Sequence, residues 1–133
     1  ELTDISIIKK GLSSYFASFP FGTATLVKKL SQSMRTSMED ARSNLSMYEH
    51  NRLEAGQKNH IEKHLFLLMK DWQSQYMHAL SVIAEDVVLP SKIYLSTSSY
   101  FNLFKKSLEE QRFHISSIDP LPTIYVSALK NMI

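Results

Sequence analysis

A long series of apolar residues, spaced three or four positions apart, limits what this chain can fold into. The series runs from about Lys58 to Asp86. Apolar side chains at this spacing share one side of an α-helix, which is buried against the rest of a domain. Pro90 excludes a continuation of that helix. The sequence therefore predicts a long amphipathic helix with a buried stripe formed by Ile61, Leu65, Met69, Trp72, Tyr76, Leu80 and Ile83.

Two β-prone segments precede the helical part of the chain. Isoleucines follow polar residues in the segment 5–8, and a second β-prone run covers residues 12–19. Lys9-Lys10-Gly11 between them is typical of a turn, so the two segments are expected to form an antiparallel hairpin. Pro20-Phe21-Gly22 ends the second segment.

Two shorter helices are expected between the hairpin and the long helix. The first begins at Thr23 and carries its apolar residues on one face, namely Leu26, Val27 and Leu30. Thr36 followed by Glu39 matches a capping box, which predicts the start of the second helix. That helix would bury Ala41, Leu45 and Tyr48 and end at Gly56.

The chain after Pro90 alternates between β-prone and helical patterns. Ile93 to Leu95 is expected to be a short strand in the same sheet as the hairpin, and residues 96–99 a turn. A helix near Tyr100 to Arg112 would bury Phe101, Phe104 and Leu108, and β-prone runs follow at 115–118 and 124–126. The order of elements favours an α/β fold with helices packed on a sheet.

Several kinds of chemistry are excluded or disfavoured by composition. The chain has no cysteine, hence no disulfide and no thiol nucleophile, and its three glycines are too few for a phosphate-binding glycine loop. His60 and His64 share a helix face at a spacing that can hold zinc, but no third ligand is evident, so surface histidines are favoured. Basic pairs are scattered, which disfavours nucleic-acid binding. No apolar run approaches the roughly 20 residues that span a bilayer, so no membrane insertion is expected.

Three stretches resemble, in order, the motifs of one superfamily: residues 1–11 (ELTDISIIKKG), 19–23 (FPFGT) and 89–100 (LPSKIYLSTSSY). The first is similar to the end of a second phosphate loop, where an acidic residue and two glycines precede a Thr-Asp strand. The chain is thus expected to begin after that acid and at least one of those glycines. The second is similar to a hairpin exit that leads into helices, and the third to an adenosine motif. Together they resemble the second lobe of the actin-like ATPases, in the FtsA/PilM-type branch of cell division and type IV pilus assembly.

This resemblance implies an α/β, ribonuclease-H-like half domain of the actin-like fold. A β-hairpin and further strands would pack against helices, with a reduced helical subdomain. Residues 1–35 and 91–133 would form the sheet-containing core, and residues 36–90 the helical subdomain. All of 1–133 would then be one lobe of a larger domain.

The resemblance also implies where a nucleotide would lie: against Thr3, Asp4, Ser96, Thr97 and Ser98. Thr97 and Ser98 hold the positions of two family glycines, and a β-carbon on each would crowd the purine and sugar. ATP and Mg²⁺ are implied for a full-length protein, but no cofactor is expected for this piece. The first phosphate loop and the catalytic acid or glutamine belong to the other lobe, so no catalytic residue or metal ligand is assigned and no catalysis is expected here.

The function implied by the resemblance is a cytoplasmic scaffold, associated with membranes through its partners, in cell division or pilus assembly. It would act through protein partners or self-association. Two alternatives stay open, a competent ATP-binding lobe and an unrelated small α/β interaction module. The residue selected for an interface is Phe66. It belongs to the apolar run 65–69, whose side chains point in several directions around the helix, and it lies off the buried stripe. A helix enclosed on most sides by its own domain is the other reading of that run.

Overall fold

The described part of the chain contains one β-hairpin and four helices. A computed structural model describes residues 2–9, 12–86, 95, 97 and 99–111. The elements in chain order are β1 (Thr3–Lys9), β2 (Leu12–Phe19), α1 (Thr23–Met34), α2 (Met38–Glu49), α3 (Ala55–Ala84) and α4 (Phe101–Gln111). The chain is therefore a mixed α/β protein, as its pattern predicts.

The hairpin presents one face to the helices and the other to solvent. β1 and β2 pair antiparallel, with Thr3 opposite Phe19 and an irregularity in register after Ile7. Ile7 and Phe19 are buried, whereas Phe16 on the opposite face is 65% exposed. Within the described residues the sheet has these two strands. The strand predicted at Ile93 to Leu95 lies outside the described residues except for Leu95, which packs against the core. The segments 115–118 and 124–126 also lie outside them.

The start of α2 differs by one residue from the prediction. Ser37, not Thr36, is the N-cap residue, and its Oγ accepts a hydrogen bond from the backbone N–H of Asp40 at 3.0 Å. The reason lies in the end of α1. Arg35 adopts a left-handed conformation with φ 55°, and the N–H of Thr36 donates to the carbonyl of Ser31. Because the N–H of Thr36 is hydrogen-bonded to the last turn of α1, the next residue, Ser37, becomes the N-cap of α2.

The predicted role of Gly56 is also wrong. α2 ends at Glu49, and Asn51 takes the left-handed conformation there, with φ 55°. Asparagine tolerates this conformation better than most residues, so the turn needs no glycine. Gly56 instead lies in the first turn of α3, whose N-cap is Glu54.

The core forms around the long helix. All seven predicted stripe residues of α3 are buried, and Trp72 is 2% exposed. Its indole stacks on Tyr76 at 5.3 Å, meets Phe104 edge-on at 5.3 Å and lies 6.0 Å from Phe19. On α4, Leu103 is buried in addition to Phe104 and Leu108, whereas Phe101, predicted to be buried, is only partly so. Among the described residues, β2 and the four helices contribute to one hydrophobic core.

Candidate interaction surface

The side of α3 that faces away from the core carries two large apolar residues next to each other. Phe66 is 61% exposed and Leu67 is 70% exposed. Lys63 and Lys70 are exposed as well. These four residues occur at positions i, i+3, i+4 and i+7, so they share one face of the helix. We call them the Phe66 face.

A cation–π contact joins two residues of this face. The Nζ atom of Lys70 lies over the ring of Phe66, 5.3 Å from its centroid. A cation in this position is attracted by the negative face of the ring. The contact leaves both residues exposed and places a positive charge directly beside the aromatic ring.

A groove of about 170 Å³ runs beside Phe66, between α3, α2 and α4. Leu65, Met69 and Leu103 give it apolar walls, and Lys70 and Lys106 also line it. The surface next to Phe66 is therefore concave and partly apolar, and it also carries two lysines and two glutamates, Glu62 and Glu110. Binding sites for apolar side chains commonly combine these properties.

The two acidic residues of the groove are already engaged by neighbours. Tyr48 donates its hydroxyl to Glu62 Oε1 at 3.3 Å, and Gln73 donates to Glu110 Oε2 at 3.2 Å. Burial raises the pKa of Tyr48, and the adjacent Glu62 carboxylate raises it further. The tyrosine therefore remains a neutral donor at physiological pH.

The lysines of this surface have no such partners. The described part of the chain contains one ion pair, between Lys29 Nζ and Asp71 Oδ2 at 2.9 Å. That lysine holds the pKa of the Asp71 carboxyl below its usual range. Lys63, Lys70 and Lys106 make no ion pair within these residues, and neither do Glu62 and Glu110, so the surface around Phe66 carries charges of both signs.

Helix α4 forms one wall of the groove, and two polar contacts hold it in addition to the bond between Gln73 and Glu110. Glu49 Oε1 of α2 accepts a hydrogen bond from the backbone N–H of Asn102 at 2.5 Å, near the start of α4. The buried side chain of Gln73 donates to the carbonyl of Ser107 at 3.3 Å. A carboxylate at a helix N-terminus is favourable because it meets unpaired N–H groups and the positive end of the helix dipole. These contacts tie α4 to α2 and α3.

The residues selected for nucleotide binding are not brought together by the hydrogen bonds described. The hydroxyl of Thr3 donates to the carbonyl of Phe21 and accepts from Trp72 Nε1 at 3.1 Å, which ties β1 to α3. Asp4 is exposed on the other face of the hairpin. Thr97 Oγ1 accepts from the N–H of Ser99 at 3.3 Å, so its hydroxyl serves a local turn. Ser96 and Ser98 lie outside the described residues.

The histidine pair on α3 forms a close contact of its own. The rings of His60 and His64 lie 5.0 Å apart, edge to face, and His64 Nδ1 is hydrogen-bonded to Ser33 Oγ. Among the residues that the structure describes, no group of three or more histidine, aspartate or glutamate side chains is arranged to hold a metal ion.

Sequence reasoning selected Phe66 but missed Leu67 and the two lysines that flank the pair. The signal was present, because Lys63, Phe66, Leu67 and Lys70 follow the same three-and-four spacing as the buried stripe. A search for apolar residues on the core face passes over a short second stripe on the opposite face.

Comparisons with known proteins do not assign this surface to a family or a function. Within the described ranges, no helix combines the length and apolarity that crossing a bilayer requires. No protein-family model matches the sequence, and neither a curated protein nor a solved structure is significantly similar to it.

Proposed function

We propose that this chain is a protein-interaction scaffold whose partner binds the Phe66 face of α3 and the groove beside it. The observation that carries the proposal is the adjacent exposure of Phe66 and Leu67, at 61% and 70%. A single exposed apolar residue is ordinary, but a paired aromatic and aliphatic group beside an apolar groove resembles the anchor region of an interface.

Stability alone gives no reason for these side chains. Neither Phe66 nor Leu67 belongs to the core, and a polar residue at either position would be compatible with the helix. Exposed apolar area favours association with another surface because water is released from both. Glu49 and Gln73 tie α4 to α2 and α3, and a groove wall positioned before binding would reduce the ordering cost of that association.

The first test is site-specific photo-crosslinking in cells that produce the protein. A benzophenone amino acid in place of Leu67 should give one discrete cross-linked product. The same group at Gln57, which is exposed on another side of α3, should give none. Phe66→Glu should abolish the product at position 67, because it removes the aromatic ring from the contact and places there a carboxylate that binding would have to desolvate.

The interpretation of Phe66→Glu requires that the fold survive. Because Phe66 is largely exposed, we expect unchanged helicity by circular dichroism and a melting temperature within a few degrees of the wild type. Equal cross-linking at positions 57 and 67, or a product at 67 that persists in Phe66→Glu, would contradict the proposal.

The wider setting that we propose is the second lobe of an actin-like, ribonuclease-H-like fold, in a cytoplasmic scaffold of the FtsA/PilM type. The order of a hairpin, three helices and a fourth helix beyond Pro90 supports it. The competent ATP-binding lobe is the rival within this setting. Two features favour the scaffold: the hydroxyl of Thr3 is committed to the fold, and Thr97 occupies a turn where the family carries glycine.

Calorimetric titration with ATP and Mg²⁺ separates these two functions. We expect no binding below a dissociation constant of about 1 mM, because in the proposed setting this chain forms one lobe of the cleft and the phosphate-binding groups of the other lobe are needed as well. The same titration with ADP and Mg²⁺ provides the matched comparison for ATP. A dissociation constant near 1 μM, about −8 kcal/mol, would establish a competent nucleotide site and rule out the nucleotide-free scaffold.

A further inference from the structure

We infer that His60 and His64 on α3 form a site for one divalent transition-metal ion, with zinc and copper as the best-suited ions. The site goes beyond the proposed interaction function, because neither histidine belongs to the Phe66 face. Its basis is the juxtaposition of two imidazole rings one helical turn apart, one of which is held by a serine of α1. The ion would be bound at the surface, since His60 is exposed and His64 is partly so.

The helix places the two imidazoles for chelation. Positions 60 and 64 lie within the continuous helix α3, so their side chains share one face, about 6 Å apart along the axis. Imidazole nitrogen suits Zn²⁺, Cu²⁺ and Ni²⁺, whereas Mg²⁺ and Ca²⁺ prefer oxygen ligands. Because the helix is formed without the ion, binding has to order little besides the two side chains.

The separation of the two rings matches that of imidazoles sharing one ion. The ring centroids of His60 and His64 lie 5.0 Å apart, and the ring planes are inclined by 76°. With metal–nitrogen bonds of about 2.0 Å and bond angles of roughly 90–110°, two imidazoles on one ion have centroids about 4.5–5.2 Å apart. The ring centres therefore already have the spacing of a chelate. Rotation of each ring about its Cβ–Cγ bond then directs one nitrogen to the ion.

A serine of the neighbouring helix α1 holds one of the two rings. Ser33 Oγ is hydrogen-bonded to His64 Nδ1 at 2.5 Å. When Nδ1–H donates to this oxygen, the lone pair of the neutral ring is on Nε2, which is the atom free to bind an ion. Histidine ligands of metal sites typically have their second nitrogen fixed in this way, which sets the tautomer and the ring orientation. This contact distinguishes the pair from two histidines that merely occur near each other on a surface.

Two protein ligands leave the other coordination positions of the ion to water. Among the residues that the structure describes, no third histidine, aspartate or glutamate joins the pair. The site is therefore open, and it holds an ion less firmly than a closed set of four ligands. The order of stability of divalent ions predicts that Cu²⁺ binds this pair more tightly than Ni²⁺ or Zn²⁺. A bound ion would cross-link two successive turns of α3 beside its contact with α1.

Calorimetric titration of the tag-free chain with Zn²⁺ measures the affinity and the stoichiometry. We expect one ion per chain, removal of the ion by EDTA, and no comparable binding of Mg²⁺. Long-range ¹H–¹⁵N NMR spectra of the imidazoles identify the ligands. The Nε2 resonances of His60 and His64 should shift on addition of Zn²⁺, whereas those of the exposed His50 and His78 should not.

The matched control exchanges two neighbouring residues of α3. Asn59→His combined with His60→Asn leaves the composition unchanged, but the two histidines no longer share a face of the helix. This variant should bind Zn²⁺ about tenfold more weakly or worse, because the second imidazole no longer binds intramolecularly. Its helicity by circular dichroism should be unchanged, because positions 59 and 60 are both exposed.

Two substitutions of Ser33 test the orientation of His64. Ser33→Ala removes the acceptor of Nδ1–H and should weaken Zn²⁺ binding by up to about tenfold. Ser33→Asp places a carboxylate there, which is a stronger acceptor and should tighten binding. Ser33 is exposed, so both variants should keep the fold.

Three results would overturn the inference. One is equal Zn²⁺ affinity in the wild type and the exchange variant. Another is a shift of the histidine resonances at positions 50 and 78 together with those at 60 and 64, which would mean an adventitious ion only. The third is equal affinity in Ser33→Ala and Ser33→Asp, which would mean that the ring of His64 is not oriented for binding. The cross-link at position 67 is independent of all three, so the proposed function stands or fails separately.

Discussion

Replacing Trp72 with alanine should lower the free energy of unfolding by about 4 kcal/mol, a large part of the roughly 5–15 kcal/mol that stabilises a domain. The indole is 2% exposed and contacts aromatic rings from β2, α3 and α4. Alanine removes these contacts and leaves a cavity that rigid neighbours fill only in part. It also removes the indole N–H that donates a hydrogen bond to the hydroxyl of Thr3.

Urea denaturation followed by circular dichroism measures this loss. Tryptophan fluorescence is unsuitable, because Trp72 is the one tryptophan of the chain. Trp72→Phe is the matched control, since it keeps an aromatic ring but lacks the N–H donor. It should cost about half as much, through a smaller cavity and one lost hydrogen bond. A loss below about 1 kcal/mol for Trp72→Ala would show that the indole does not centre the core.

Stability should also fall steeply at alkaline pH because of Tyr76. Burial raises the pKa of Tyr76 from 10.0 to about 12. The folded protein therefore retains a proton that the unfolded chain releases above pH 10. This contribution is complete below pH 10 and is lost as the pH rises through 12. Linkage gives a loss of about 3 kcal/mol over this interval, at 1.36 kcal/mol per pH unit.

Tyr76→Phe isolates this effect, since phenylalanine keeps the ring that stacks on Trp72 but cannot ionise. We expect the difference in unfolding free energy between the variant and the wild type to be constant from pH 7 to 9. It should then shift by about 3 kcal/mol in favour of the variant by pH 12. Parallel stability curves up to pH 12 would mean that the phenol ionises without unfolding the core.

The sequence pattern predicts the helices and the hairpin because their periodicity is local and regular. The stripe of α3 consists of seven apolar residues between Ile61 and Ile83, and all seven are buried. The exact ends of the helices depend on which neighbouring residue hydrogen-bonds to the unpaired backbone groups there. Thr36 and Ser37 are both capable caps, and the end of α1 decides between them. Asn51 takes the left-handed turn that the pattern assigns to Gly56.

The functional interpretation depends on contacts that are distant in sequence. In the pattern alone, Thr3 is a small polar residue at the start of a strand, equally suited to a phosphate or to a structural role. Its two hydrogen bonds involve Phe21 and Trp72, and neither can be inferred without the fold. Phe66 could be separated from the stripe by its helical position, but its exposure depends on where α2 and α4 pack.

The contact between Thr3 and Trp72 sets the order of events on the ribosome. The two residues are 69 positions apart, and at roughly 5–20 residues per second the second is made about 3–14 s after the first. A two-stranded hairpin is at best marginally stable by itself. During that interval the apolar face of the hairpin, with Ile7 and Phe19, lacks the α3 surface on which β2 packs in the fold. Chaperones that bind extended apolar segments would therefore meet the hairpin before α3 exists, and release of the hairpin should coincide with the synthesis of α3.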